Sequence, residues 1–127
     1  MGFNAAFYVE QPKTQRYLEV KMSDFIEKLE TLNKNKDTII HEVKKIPTVG
    51  VSKTQAQNLR EYAAQTQSIE EILLYIDYQC ARYRNLKSAG LRLMDLIKRY
   101  KVHGIAVIRY ILGTFARWVI IESKSGE

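Results

Sequence analysis

The sequence predicts an all-α domain, a compact bundle of about five to six helices with an irregular N-terminal arm. Three observations predict it. No proline occurs after Pro47, and β-branched residues never settle into sustained strict alternation. Two Ser-x-x-Gln/Glu patterns open segments whose apolar residues recur at helical spacing. A length of 127 residues suits one domain, 1–127, with a real core, and 46% apolar against 27% charged residues is a globular balance.

Residues 1–20 show no sustained periodicity and contain Pro12, so they read as a loose arm. Ser23 is a plausible N-cap for a helix to about Asn33, with Phe25, Ile26 and Leu29 on one face, and Asn33-Lys34-Asn35-Lys36 reads as a turn. A short helix from about Thr38 ends before Pro47, because the residue preceding proline is pushed out of the helical region. Ser52 with Gln55 forms a capping-box pattern ahead of Ala56, Leu59 and Ala63. Ser68 with Glu71 forms another, ahead of Ile69, Ile72, Leu73, Ile76 and Cys80 on one stripe. A break near Asn85 to Gly90 leads into Leu91–Tyr100, and Gly104 stands at the start of the final helix. At 100° per residue, Ile105, Ile108, Ile111, Leu112, Phe115 and Val119 of that helix share a broad apolar face. Opposite them lie Ala106, Tyr110, Gly113 and Arg117, which predicts either an internal helix or contact with a neighbour.

The charge is +6, and its placement matters more than its size. Residues 1–50 carry net +1 and residues 51–78 net −2, whereas residues 79–117 carry Arg82, Arg84, Lys87, Arg92, Lys98, Arg99, Lys101, Arg109 and Arg117 against Asp95 alone. Clustered Lys/Arg favours a polyanionic partner through Coulomb attraction and counterion release. Nucleic acid is the leading partner class. The N-terminus lacks the positive cluster and apolar core of a secretory signal, and the single Cys80 fits a reducing compartment, so the cytoplasm is the expected location. Val102 to Ile121 is mostly apolar but contains Arg109 and Arg117, and an arginine near the middle of a span costs roughly 2.5–3.5 kcal/mol. A buried helix is expected there, with no membrane partner.

Catalysis finds little footing. His41 and His103 are isolated, Cys80 sits on an apolar stripe, and Glu70 and Glu71 occupy a first helical turn where the macrodipole favours acids. No glycine-rich phosphate loop is present. The expectation is a non-enzyme without cofactor or metal. A helix-turn-helix over residues 52–82 would place Glu70 and Glu71 at the reading end, where they repel phosphate. What remains is the basic tract interleaved with Tyr78, Tyr83, Tyr100, Tyr110 and Trp118, the composition of a surface that tracks a nucleic-acid backbone.

Three short motifs in order resemble the small helical subunit of type III CRISPR effector complexes. Ser52-Lys53-Thr54-Gln55-Ala56-Gln57-Asn58-Leu59 is similar to that family's capped helix ending in an Arg-Asn-Leu-like triplet, with Gln57 where arginine is usual. Tyr78-Gln79-Cys80-Ala81-Arg82 is similar to its aromatic followed by Gly-Arg, with Ala81 in place of glycine. Arg109-Tyr110 ahead of Ile111 to Ile120 is similar to its basic-aromatic pair, with Leu112 where glutamate is frequent. The resemblance spans roughly residues 50–120. It implies a non-catalytic subunit that stacks beside backbone subunits and contacts guide or target RNA, with self-association possible.

The residues expected to meet RNA are Arg82, Arg84, Arg92, Lys98, Arg99, Lys101, Arg109 and Arg117, on a single side of the molecule. The alternative is a protein-interaction adaptor docking through Ala106, Tyr110, Gly113 and Arg117, with a basic surface and no nucleic-acid role. A third reading lays a basic amphipathic segment on anionic membranes.

Overall fold

The computed structural model describes residues 2–125, with side chains described for 16–124. It contains α1 (Gly2–Val43), α2 (Lys53–Gln65), α3 (Ile69–Arg82), α4 (Lys87–Tyr100) and α5 (Ile105–Ser125). Single 3₁₀ turns at Arg84–Leu86 and Lys101–His103 lead into α4 and α5, and no strand occurs among the described residues. The all-α bundle expected from the sequence is the observed fold.

The first helix differs from expectation. The stretch 2–20 read as an arm is helical and continuous with the remainder of α1, Ser23 lies mid-helix, and the turn at 33–36 does not form. The physical reason is visible in and just before the segment read as a turn. Thr31 Oγ1 donates to the Glu27 carbonyl at 2.9 Å and Asn35 Nδ2 to the Thr31 carbonyl at 2.8 Å, so both bond back along the helix. Asp24 and Lys28 add an i,i+4 pair at 3.1 Å. Without a turn the chain does not fold back. At 1.5 Å per residue, Phe25 stands roughly 20 Å up the helix from Ile39, the first fully buried residue of α1 among those whose side chains are described. Phe25, Ile26 and Leu29, expected together on one face, are 62%, 48% and 42% exposed.

The core lies around α5. Residues 111–116 are buried without interruption, and the helix packs mainly on α2 and α1 while α3 packs on α4. Ile39 and Val43 of α1, Leu59 of α2, Ile72 and Ile76 of α3, Leu93 and Ile97 of α4, and Phe115 of α5 are all essentially inaccessible to solvent. Two residues of the second α5 stripe belong to this packing or its edge: Gly113 is buried, and Tyr110 is half-buried toward α1, whereas Ala106 is exposed.

The capping sequences work as local devices. Ser52 Oγ accepts from Gln55 N at 3.0 Å while Gln55 Oε1 accepts from Ser52 N at 3.1 Å, the full reciprocal box. The turn before it needs Gly50 at φ +82, a left-handed conformation that glycine tolerates best. Asn85 then ties distant chain to this corner, its Nδ2 donating to the Gly50 carbonyl at 2.7 Å and to Gln55 Oε1 at 2.8 Å. At α3 only half the expected box forms: Ser68 Oγ accepts from Glu71 N at 3.2 Å. Glu71 instead accepts from Thr66 Oγ1 at 2.8 Å, and Thr66 Oγ1 itself accepts from Ser68 N, so the hydroxyl takes the place of the carboxylate at the cap. Ser52→Ala is expected to lower stability by about 1 kcal/mol, read as a shift in the urea midpoint at unchanged slope.

Candidate nucleic-acid interface

The outer face of α4 carries a cluster of surface cations. Ala89, Gly90, Leu93, Met94, Leu96 and Ile97 are buried, which turns Lys87, Leu91, Arg92, Asp95, Lys98 and Arg99 to solvent. Four cations and one carboxylate thus form a ridge along one helix. Arg82 and Arg84, both exposed, extend it across the preceding 3₁₀ turn, and Arg82 lies 5.2 Å from the centroid of the Tyr83 ring.

A cleft runs along each flank of the ridge. On the α3 side, about 330 Å³ is lined by Asp77, Cys80, Ala81, Arg84, Lys87 and Leu91. On the α1 side a smaller one gathers Arg92, Arg99 and Lys45 around Glu42. Glu42 meets Arg99 at 3.4 Å and Lys45 at 3.5 Å. The Lys45 charge, with the hydrogen bonds from Arg99 and Lys45, holds its carboxyl below the usual range against a smaller opposing effect of burial. Lys101 pairs with Glu70 of α3. Such exposed pairs are weak, so a phosphate can take Arg99 or Lys101 from its carboxylate. Among the described residues Arg84, Arg92 and Lys98 have no ion-pair partner.

Two of the eight arginines and lysines expected to meet RNA lie elsewhere. Arg109 is half-buried, and its guanidinium is engaged: Nε donates to the Ala63 carbonyl at 2.9 Å and Nη2 to the Thr66 carbonyl at 2.8 Å. It caps the C-terminus of α2, where helix carbonyls lack intrahelical donors. Arg117 is exposed and lines a separate cleft between α1 and α5 with Lys44, Tyr110 and Trp118. The single basic side therefore resolves into an α4 ridge, an α1–α5 cleft and one internal cap.

Lysines of α1 and the turn after it join both surfaces, which the near-neutral charge of residues 1–50 concealed. Lys45 reaches the ridge side, Lys44 lies 5.7 Å from the Trp118 ring centroid, and Lys36 lies 5.5 Å from that of Tyr110. The legible signal was the Lys44-Lys45 pair between the core residues Val43 and Ile46: with both flanking residues buried, the two lysines between them are left to solvent.

The aromatics of the basic tract divide in the same way. Tyr78 is 56% exposed, while Tyr100 packs beside His103. Cys80 is buried against α4, and burial, reinforced by Asp77, pushes its thiol pKa up and away from thiolate chemistry. Among the described residues no group of three or more His, Cys, Asp or Glu is placed to hold a metal, and no helix is long and apolar enough to cross a membrane. Compared with protein-family models, with curated proteins and with solved structures, the chain matches none.

Proposed function

We propose that this chain is a non-catalytic, RNA-backbone-binding small subunit of an RNA-guided effector ribonucleoprotein of the type III CRISPR kind, acting in the cytoplasm in antiviral defence. It would stabilise guide or target RNA. The observation that carries the reading is the α4 ridge, where Lys87, Arg92, Lys98 and Arg99 stand on one solvent face and Arg82 and Arg84 prolong it. Lys101 contributes from beside the ridge and Arg117 from the separate α1–α5 cleft, and Arg109 is left to its structural role. Cations on successive helical turns suit a chain of phosphates and select no base sequence. The exposed row Leu18, Met22, Phe25, Ile26 and Leu29 on α1 supports membership of an assembly, because apolar residues in a contiguous row favour burial against neighbouring protein or a second copy.

Anisotropy of labelled single-stranded RNAs of unrelated sequence tests the reading. With about five phosphate contacts, the log–log salt slope is expected near −3.5, roughly a hundredfold loss of affinity between 50 and 200 mM salt. Arg92→Ala should weaken all sequences alike and reduce the slope by about 0.7. Salt-insensitive binding overturns it. The α1 row equally favours the adaptor reading, which predicts a stable protein complex that retains no nucleic acid at low salt.

A further inference from the structure

The cleft between α1 and α5 has features that backbone binding does not use. Its volume is about 170 Å³, below the roughly 300–1,000 Å³ of sites enclosing a drug-sized molecule and suited to one planar ring. Val43, Tyr110 and Trp118 give it apolar and aromatic walls, while Lys44 and Arg117 also line it. Thr114 also lines it, and among the described residues it is the one polar residue of the buried core. Its side chain is nine-tenths buried, and Oγ1 has no hydrogen-bond partner in the fold. A helical threonine ordinarily donates to the carbonyl four residues back, here that of Tyr110, and this one does not. A buried hydroxyl left unpaired is costly, so a partner that reaches it through the cleft would stabilise it.

We propose that this cleft seats one unpaired RNA base, stacked on Trp118 and hydrogen-bonded at its edge to Thr114 Oγ1, with the flanking phosphates held by Lys44 and Arg117. The proposal rests on the reading of the chain as an RNA-backbone binder. Lys44 now lies over the indole ring at cation–π distance, so the base takes the ring face as the ammonium moves to phosphate. Lys36 beside Tyr110 can follow the same course. A hydroxyl both donates and accepts, so it bonds the edge of any base. The seat therefore anchors a strand without reading its sequence, which matches a ridge that selects no base.

Trp118 is the chain's single tryptophan, so its fluorescence reports the cleft directly. The full chain is titrated at low salt with a labelled ten-nucleotide RNA of mixed sequence, and separately with an abasic strand of the same length and sugar-phosphate backbone. Anisotropy measures binding of each. Both strands are expected to bind, the abasic one roughly tenfold or more weakly because it loses the stacking and the edge bond together, with Trp118 emission falling by about half for the base-bearing strand and remaining unchanged for the abasic one. Thr114→Val, which keeps the shape and removes the hydroxyl, should keep or raise Tm while weakening the affinity read by quenching three- to tenfold. If both strands bind and fluorescence responds alike, or not at all, the base seat fails and backbone binding stands. If neither strand binds, both readings fail. A Thr114→Val variant that loses several degrees of Tm would show that the fold itself uses the hydroxyl, and one that quenches like the parent would remove Thr114 from the seat; either result overturns the site as drawn.

Discussion

Gly90→Ala is expected to destabilise the bundle by about 2 kcal/mol, and Cys80→Ala to restore most of that loss. Gly90 lies in the first turns of α4 where the helix crosses α3, and both it and Cys80 are buried. A Cβ at residue 90 would overlap the Cys80 sulfur and would stand 3.5 Å from Ile76 Cγ2. The sulfur has nowhere cheap to go. Its side chain has one rotatable bond, and the sulfur lies 3.8 Å from the Leu86 carbonyl that leads into α4. Overpacking of this kind costs about 1–3 kcal/mol. The gain in helix propensity from glycine to alanine, about 1 kcal/mol, offsets only part of a deep overlap. The net change corresponds to a fall in Tm of roughly 6–12 °C.

The diagnostic is a reversal of sign. In the parent chain Cys80→Ala removes a buried sulfur and should cost about 1 kcal/mol, because it leaves a gap between α3 and α4. In the Gly90→Ala background the same change should stabilise, since the new methyl occupies the space the sulfur leaves. Thermal melts of the four proteins in this cycle measure it. If Cys80→Ala costs the same in both backgrounds, the overlap is not what makes glycine necessary at residue 90.

That close crossing also marks the border of what a linear chain discloses. The boundaries of α2 and α3 were legible because Ser52 and Ser68 act on backbone amides three residues away, and the apolar spacing behind them is equally local. The fate of Asn33–Lys36 was not. The same Thr and Asn side chains can end a helix or bond back onto it, and the second outcome accompanies the anchoring of Ile39 and Val43 in a core that other helices complete. The candidate site divides along the same line. Arg92 falls between the buried positions of an amphipathic helix, so a count of residues predicts its exposure. Arg109 comes from the same basic tract, but its fate depends on α2 ending beside it, 43 residues earlier at Thr66. Charge density along the chain points to a candidate interface and is blind to which cations the fold consumes.

Arg109→Ala is therefore expected to cost about 2–3 kcal/mol in stability, with little direct effect on RNA affinity. The guanidinium spans the carbonyls of Ala63 and Thr66 from two of its nitrogens, a fork that lysine cannot reproduce with one ammonium. Each bond has a charged donor, worth about 1.5–3 kcal/mol when buried, and the half-buried setting lets water recover part of that. The cation also lies at a helix C-terminus, where the macrodipole favours it. More than one helix depends on the contact. Thr66 closes α2 through its backbone N–H to Tyr62, and its hydroxyl links Ser68 N and Glu71 at the start of α3. Losing Arg109 loosens the whole corner at which α2 turns into α3, and the α5 packing on α2 with it. Arg109→Lys should retain the charge and recover less than half of the stability. The two roles of an arginine separate in one pair of measurements. If Arg109 caps α2, Arg109→Lys lowers the urea midpoint while the folded protein binds single-stranded RNA within twofold of the parent at the same salt slope. If it meets phosphate instead, Arg109→Ala leaves the midpoint unchanged and reduces the slope by about 0.7, the signature expected of Arg92 on the α4 ridge.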